Sequence, residues 1–74
     1  MSNFLDKGFS IRLDFLINEK GITESELAKR IGVSRESINY WRHGKMPIYR
    51  LAYLNALSKE FNVKPSWLLY GFIK

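Results

Sequence analysis

Cysteine is absent from the 74-residue sequence, so neither a disulfide framework nor a thiolate metal site can hold the fold. There is one histidine, His43, and the seven carboxylates show no metal-ligand spacing. A glycine-rich phosphate loop is missing too, and a chain this short has little room for a deep pocket. The expectation is a protein that is not an enzyme, that uses no cofactor or metal, and that has no evident small-molecule ligand. No apolar run approaches the ~18 residues needed to cross a bilayer. The N-terminal Met1–Lys7 also lacks a basic start followed by a long apolar run. A cytoplasmic location away from membranes is expected. Strand signals are missing as well, since no segment alternates apolar and polar residues over a useful length. Repeats, low-complexity segments and linkers do not occur.

What is present is apolar. Hydrophobic residues make up 46% of the chain and aromatics 15%, which argues against disorder despite a net charge of +5. The length allows one domain, residues 1–74 with a core over about 9–71, near the lower limit at which a single apolar core suffices. A pI near 9.8 favours a polyanionic partner. The charge is also unevenly placed. From Lys29 to Arg50 stand six basic side chains, Lys29, Arg30, Arg35, Arg42, Lys45 and Arg50, against one acid, Glu36. The rest of the chain holds six basic and six acidic side chains, so the whole net charge lies in this central stretch. It is either a solvated basic surface or a footprint for phosphate.

Helical spacing fits nearly everywhere and predicts five short helices, an all-α fold. The first runs from about Phe9 to Lys20, with Phe9, Leu13, Leu16 and Ile17 on one face and Gly21 as its stop. Thr23-Glu24-Ser25-Glu26 is a capping box opening the second helix, which buries Leu27, Ala28 and Ile31 and ends at Gly32. Ser34 is an N-cap for the third helix, Arg35 to about His43, with Ile38 and Trp41 inward and Gly44 at the exit. Pro47 suits the first turn of a fourth helix carrying Leu51, Leu54, Leu57 and Phe61. Pro65 starts a fifth containing Trp67, Leu68 and Leu69, closed by Gly71.

The informative segment is Thr23 to Gly44: two short capped helices joined by Gly32-Val33-Ser34. This is the spacing of a helix-turn-helix unit, whose second helix enters the DNA major groove. Ala28 lets the helices approach closely, and Gly32 supplies the turn residue that tolerates positive φ. Leu27, Ile31, Val33, Ile38 and Trp41 are the apolar residues expected to lock the crossing angle.

The run Ile22-Thr23-Glu24-Ser25-Glu26-Leu27-Ala28-Lys29-Arg30-Ile31-Gly32-Val33-Ser34 resembles the helix-turn-helix of the lambda-repressor-like (Cro and XRE) family. The resemblance continues through Ile38, Trp41 and Gly44-Lys45-Met46-Pro47 to Phe61-Asn62-Val63, Pro65 and Trp67-Leu68-Leu69-Tyr70-Gly71. It covers roughly residues 9–71. It implies that family's five-helix fold and a transcription regulator of the phage-repressor type, most simply a prokaryotic repressor on double-stranded DNA.

By that resemblance the outer face of the third helix reads bases. Arg35 can bond guanine in a bidentate fashion, Glu36 can accept from a cytosine amino group, Asn39 pairs with adenine or a phosphate, and Tyr40 touches a thymine methyl or the backbone. Ser34, Ser37, Arg42, His43, Lys45 and Arg50 are the expected phosphate contacts. Two positions depart from the family. Glu24 stands where relatives usually have Gln bonding a phosphate; a carboxylate cannot donate that bond, so Glu24 is either a dipole-favoured first-turn acid or a partner orienting Arg35. Lys64 stands where a capping Ser is common.

Apolar surface remains to be explained. Ile11 and Phe15 project opposite to Phe9 and Leu13, and Phe4 and Leu5 either fold back over them or make a subunit contact. The family's fifth helix often makes a two-fold contact, which points to a homodimer through Trp67, Leu68, Tyr70, Phe72 and Ile73 on a pseudo-palindromic site. Either a complete small regulator of the Cro type or the N-terminal domain of a longer one fits. The competing reading is an antitoxin-like protein-interaction module on the same fold.

Overall fold

The computed structural model describes the backbone of residues 2–44 and 51–71 and the side chains of residues 8–44 and 52–71. Five helices follow in order: α1 (Ser2–Lys20), α2 (Glu24–Ile31), α3 (Arg35–Arg42), α4 (Leu51–Phe61) and α5 (Pro65–Tyr70). No strand occurs among the described residues.

The local signals act where the sequence places them. Thr23 is the N-cap of α2: its hydroxyl accepts from the Glu26 N–H at 3.0 Å, while its own N–H donates to Glu26 Oε1 at 2.9 Å. Ser34 caps α3 by accepting from the Ser37 N–H at 3.2 Å. Lys64 makes no side-chain cap, and α5 begins with Pro65, whose missing N–H needs no partner there. One boundary differs from the sequence reading. Helix α1 begins at Ser2 rather than near Phe9. Gly8 lies inside the helix, where it costs only about 1 kcal/mol, and a Cβ there would stand 2.9 Å from the Arg12 guanidinium. The expected start of α4 at Pro47 lies outside the described residues, and α4 is described from Leu51.

Phe9, Leu13, Leu16 and Ile17 of α1 share one core with Ile22, with Leu27 and Ala28 of α2, Ile38 and Trp41 of α3, Leu54 and Leu57 of α4, and Leu68 of α5. Each large side chain here is worth about 1.5–3 kcal/mol of burial, the main force holding helices too short to be stable alone. Ile31, Val33, Tyr53 and Phe61 pack around it half-buried, and the Tyr53 ring lies 5.3 Å from that of Trp41.

Polar clips fix how the helices meet. Arg12 of α1 donates to the Leu68 and Leu69 carbonyls at 2.9 and 2.8 Å, taking up acceptors that the end of α5 leaves free. The Ser10 hydroxyl donates to the Trp41 carbonyl at the end of α3, which also accepts from the Gly44 N–H. Glu60 of α4 accepts from Lys20 of α1 and Arg30 of α2, so one carboxylate joins three helices.

Glu60 is held below the usual carboxylate range by its hydrogen bonds from Lys20 and Arg30, and Glu26 by the Thr23 backbone and hydroxyl. A lowered folded value means that both groups stabilise the fold above the pKa of the unfolded chain, and that this contribution is lost as pH falls through the folded value. Thermal melts should therefore be flat near neutrality and fall from about pH 4 downward. E60Q should lower the neutral-pH melting temperature and flatten the acid limb, and an E60Q limb as steep as the parent's would remove Glu60 from this account.

Candidate nucleic-acid interface

Helix α2, the turn and α3 form one rigid unit. Ala28 is buried where α2 meets α3, and its carbonyl accepts from the N–H groups of Gly32 (2.9 Å) and Val33 (3.0 Å), closing α2 abruptly. Gly32 holds φ at +79°, which costs any residue with a Cβ. Val33 tucks under the unit half-buried, and Ser34 opens α3 at once.

With Ile38 and Trp41 buried, the opposite face of α3 points outward. Arg35, Glu36, Tyr40 and His43 are exposed, and Asn39 and Ser37 half-buried. The four residues expected to read bases therefore share one outward face. Ser34 and Ser37 stand together at the N-terminus of α3, their hydroxyls 3.0 Å apart. His43 Nδ1 is 2.7 Å from the Asn39 carbonyl. A carbonyl only accepts, so Nδ1 carries the proton, and in the neutral ring Nε2 is an acceptor.

Glu24 organises this face. Its carboxylate, at the first position of α2, accepts from Arg35 Nη1 at 3.3 Å, Asn39 Nδ2 at 3.3 Å and Arg42 Nη1 at 3.1 Å. These donors recur at four- and three-residue steps along α3, which stacks them on one side of the helix. Both alternatives for Glu24 are present together: it is an acid in the first turn of α2, and it bonds Arg35, with Asn39 and Arg42 added.

Two expectations are corrected. Arg42 is not a free phosphate contact: with a side chain 21% exposed, it is spent between Glu24 and Asp14 of α1, to which its Nε donates at 2.8 Å. Leu68 is fully buried and faces the core, so it cannot serve a dimer contact. Trp67 is half-buried and Tyr70 half-exposed. Lys45, Arg50, Phe72 and Ile73 lie outside the described residues, as do the side chains of Phe4 and Leu5. Ile11 and Phe15 are exposed, at 65% and 50%. Sequence reasoning missed Asp14, 28 residues from Arg42, because no local pattern marks an acid that will meet a distant base. The basic stretch also carries less free charge than it spells: Arg30, Arg35 and Arg42 are ion-paired, while Lys29 is exposed and makes no salt bridge among the described residues.

The family model of the Cro/C1-type helix-turn-helix DNA-binding domain matches residues 12–70. Among characterised proteins, the chain is 35% identical over 65 residues to the HTH-type transcriptional regulator for conjugative element R391 of Providencia rettgeri. The same figures hold for the regulators for element SXT of Vibrio cholerae and element pMERPH of Shewanella putrefaciens. Each alignment covers 88% of this chain but 29% of the relative, so the chain spans under a third of their length.

Removing Arg42 tests its reassignment. R42A leaves Asp14 and Glu24 without their shared partner and should cost about 1–3 kcal/mol in chemical denaturation. If stability were unchanged while DNA binding weakened, Arg42 would return to the phosphate contacts.

Proposed function

Because the chain belongs to the Cro/C1-type helix-turn-helix DNA-binding family, we propose that it is a sequence-specific transcription regulator, a repressor, that reads double-stranded DNA by laying α3 in the major groove. The observation that carries this reading is the outward face of α3. Arg35, Glu36, Asn39 and Tyr40 stand together there, on a helix locked to α2 by the core. Arg35 is the guanine reader, Glu36 accepts from cytosine, Asn39 pairs with adenine and Tyr40 meets a thymine methyl. Ser34 and Ser37, at the start of α3, take phosphate oxygens, with His43, Lys45 and Arg50 as further backbone contacts. Regulation of transcription is carried over from the relatives, whose names place them in that process. A prokaryotic cytoplasm, on the nucleoid, is the setting this implies. No helix among the described residues is long and apolar enough to cross a membrane.

The domain acts as a homodimer through Trp67 and Tyr70, with Phe72 and Ile73 as further contacts. Two-fold symmetry then asks for half-sites about one helical turn apart. The second reading is a protein-interaction module. It is favoured by the exposed Ile11 and Phe15, two large apolar side chains on one helix.

Selection of bound duplexes from a randomised pool at near-physiological salt tests the main reading. An enriched sequence is expected, with affinity falling steeply as salt rises. R35A should weaken the enriched site by about 1–3 kcal/mol and relax preference at one base pair, whereas K45A should weaken all sequences evenly and reduce the salt slope by about one. No enrichment, with binding that vanishes as salt rises, would favour the protein-interaction reading. Dimerisation is read separately from the complex's stoichiometry and site symmetry: two copies on a pseudo-palindrome are expected, and one copy on an asymmetric site would overturn it.

A further inference from the structure

On the described part of the reading face the cations stand among carboxylates: Arg35 and Arg42 are paired with Glu24, Arg42 also with Asp14 of α1, and Glu36 lies exposed beside them. Glu24 is the centre of this balance, 18% exposed and touching three donors of α3. We propose that Glu24 is a specificity-determining residue: its charge suppresses binding to non-cognate DNA, and its hydrogen bonds preset the donors of Arg35 and Asn39. The inference rests on the DNA-reading function proposed above.

The argument turns on the difference between a base edge and a phosphate. A guanidinium has five N–H donors, and the bond from Arg35 to Glu24 uses one. Guanine O6 and N7 are neutral acceptors, so Arg35 can pair with them while keeping its carboxylate partner. A phosphate is an anion. Binding it through Arg35 brings a second negative charge beside Glu24, and the repulsion between the two anions offsets part of the attraction to the guanidinium. Contacts with DNA backbone, common to all sequences, are thereby penalised more than contacts with the fitting base.

Asn39 is tuned by the same carboxylate. Glu24 only accepts, so the amide must turn its NH2 group toward it, and the orientation of this side chain follows from its partner's chemistry. What remains is one N–H and the carbonyl oxygen, the donor–acceptor pair that matches adenine N7 and N6. A glutamine at position 24 could present either end of its own amide, leaving Asn39 free to flip and the phosphate free to approach.

The test compares the parent chain, E24Q and E24D on two duplexes, one recovered by selection and one a scramble of equal length and composition, across a range of salt. E24Q should bind the scramble about threefold to tenfold more tightly at low salt, with a salt slope steeper by about one. Its ratio of selected to scrambled affinity should fall at least threefold, with the loss concentrated at the base pairs read by Arg35 and Asn39. E24D keeps the charge and should keep the scramble weak. Misfolding lowers both affinities by one factor and leaves the ratio unchanged, so the ratio separates specificity from stability. An E24Q ratio and slope equal to the parent's would overturn the proposal and leave Glu24 a structural clamp. If the parent chain itself enriched no duplex, the DNA-reading function would fail and this inference with it.

Discussion

Everything exposed on α3 depends on how α3 is held from behind. Leu27 and Ala28 of α2 and Ile38 and Trp41 of α3 enter one core, and α1 supplies its floor through Phe9, Leu13, Leu16 and Ile17. Neither α2 nor α3 exceeds eight residues, far below the length at which a helix persists alone in water. Their order is therefore borrowed from the core. The smallness of Ala28 and the left-handed turn at Gly32 matter for the same reason: they let two short helices come close enough to share one set of apolar contacts.

Upon that packed base lies a second layer of organisation, made of charge. Arg42 lies between Asp14 and Glu24, Glu60 gathers Lys20 and Arg30, and Arg12 closes the end of α5. Exposed ion pairs usually contribute little to stability. Those at Glu24 and Glu60 are different in that each carboxylate is largely covered and meets more than one donor, so a single acid fixes several side chains at once. Orientation rather than stability is the chief product.

Much of this was legible in the sequence, because the punctuation of short helices is local chemistry. Thr23 with Glu26, Ser34, Gly32, Pro65 and Gly71 mark ends within a residue or so of where the helices stop and start. The inward faces were equally legible where helical spacing separates apolar from polar, as at Ile38 and Trp41. Three features were not. The N-terminal part of α1 carried no signal, because the apolar face that marks the helix in the sequence begins at Phe9. In α5, Trp67, Leu68 and Leu69 are all apolar, so spacing could not say that Leu68 alone would be fully buried. And the partner of Arg42 depends on the crossing of α1 with α3, a distance that only the folded chain defines.

The brevity of α3 has a consequence for addressing. The helix ends at Arg42 with His43 as its C-cap, and its eight residues run for about 12 Å. At 3.4 Å per base pair, that length lies along about four steps of a duplex. A word of about four letters recurs by chance every few hundred base pairs, against the millions of positions that a genome offers. One such helix holds too little information to name a location. If α3 lies in the groove as proposed, its short word has to be joined to some further contact before it can name a single site.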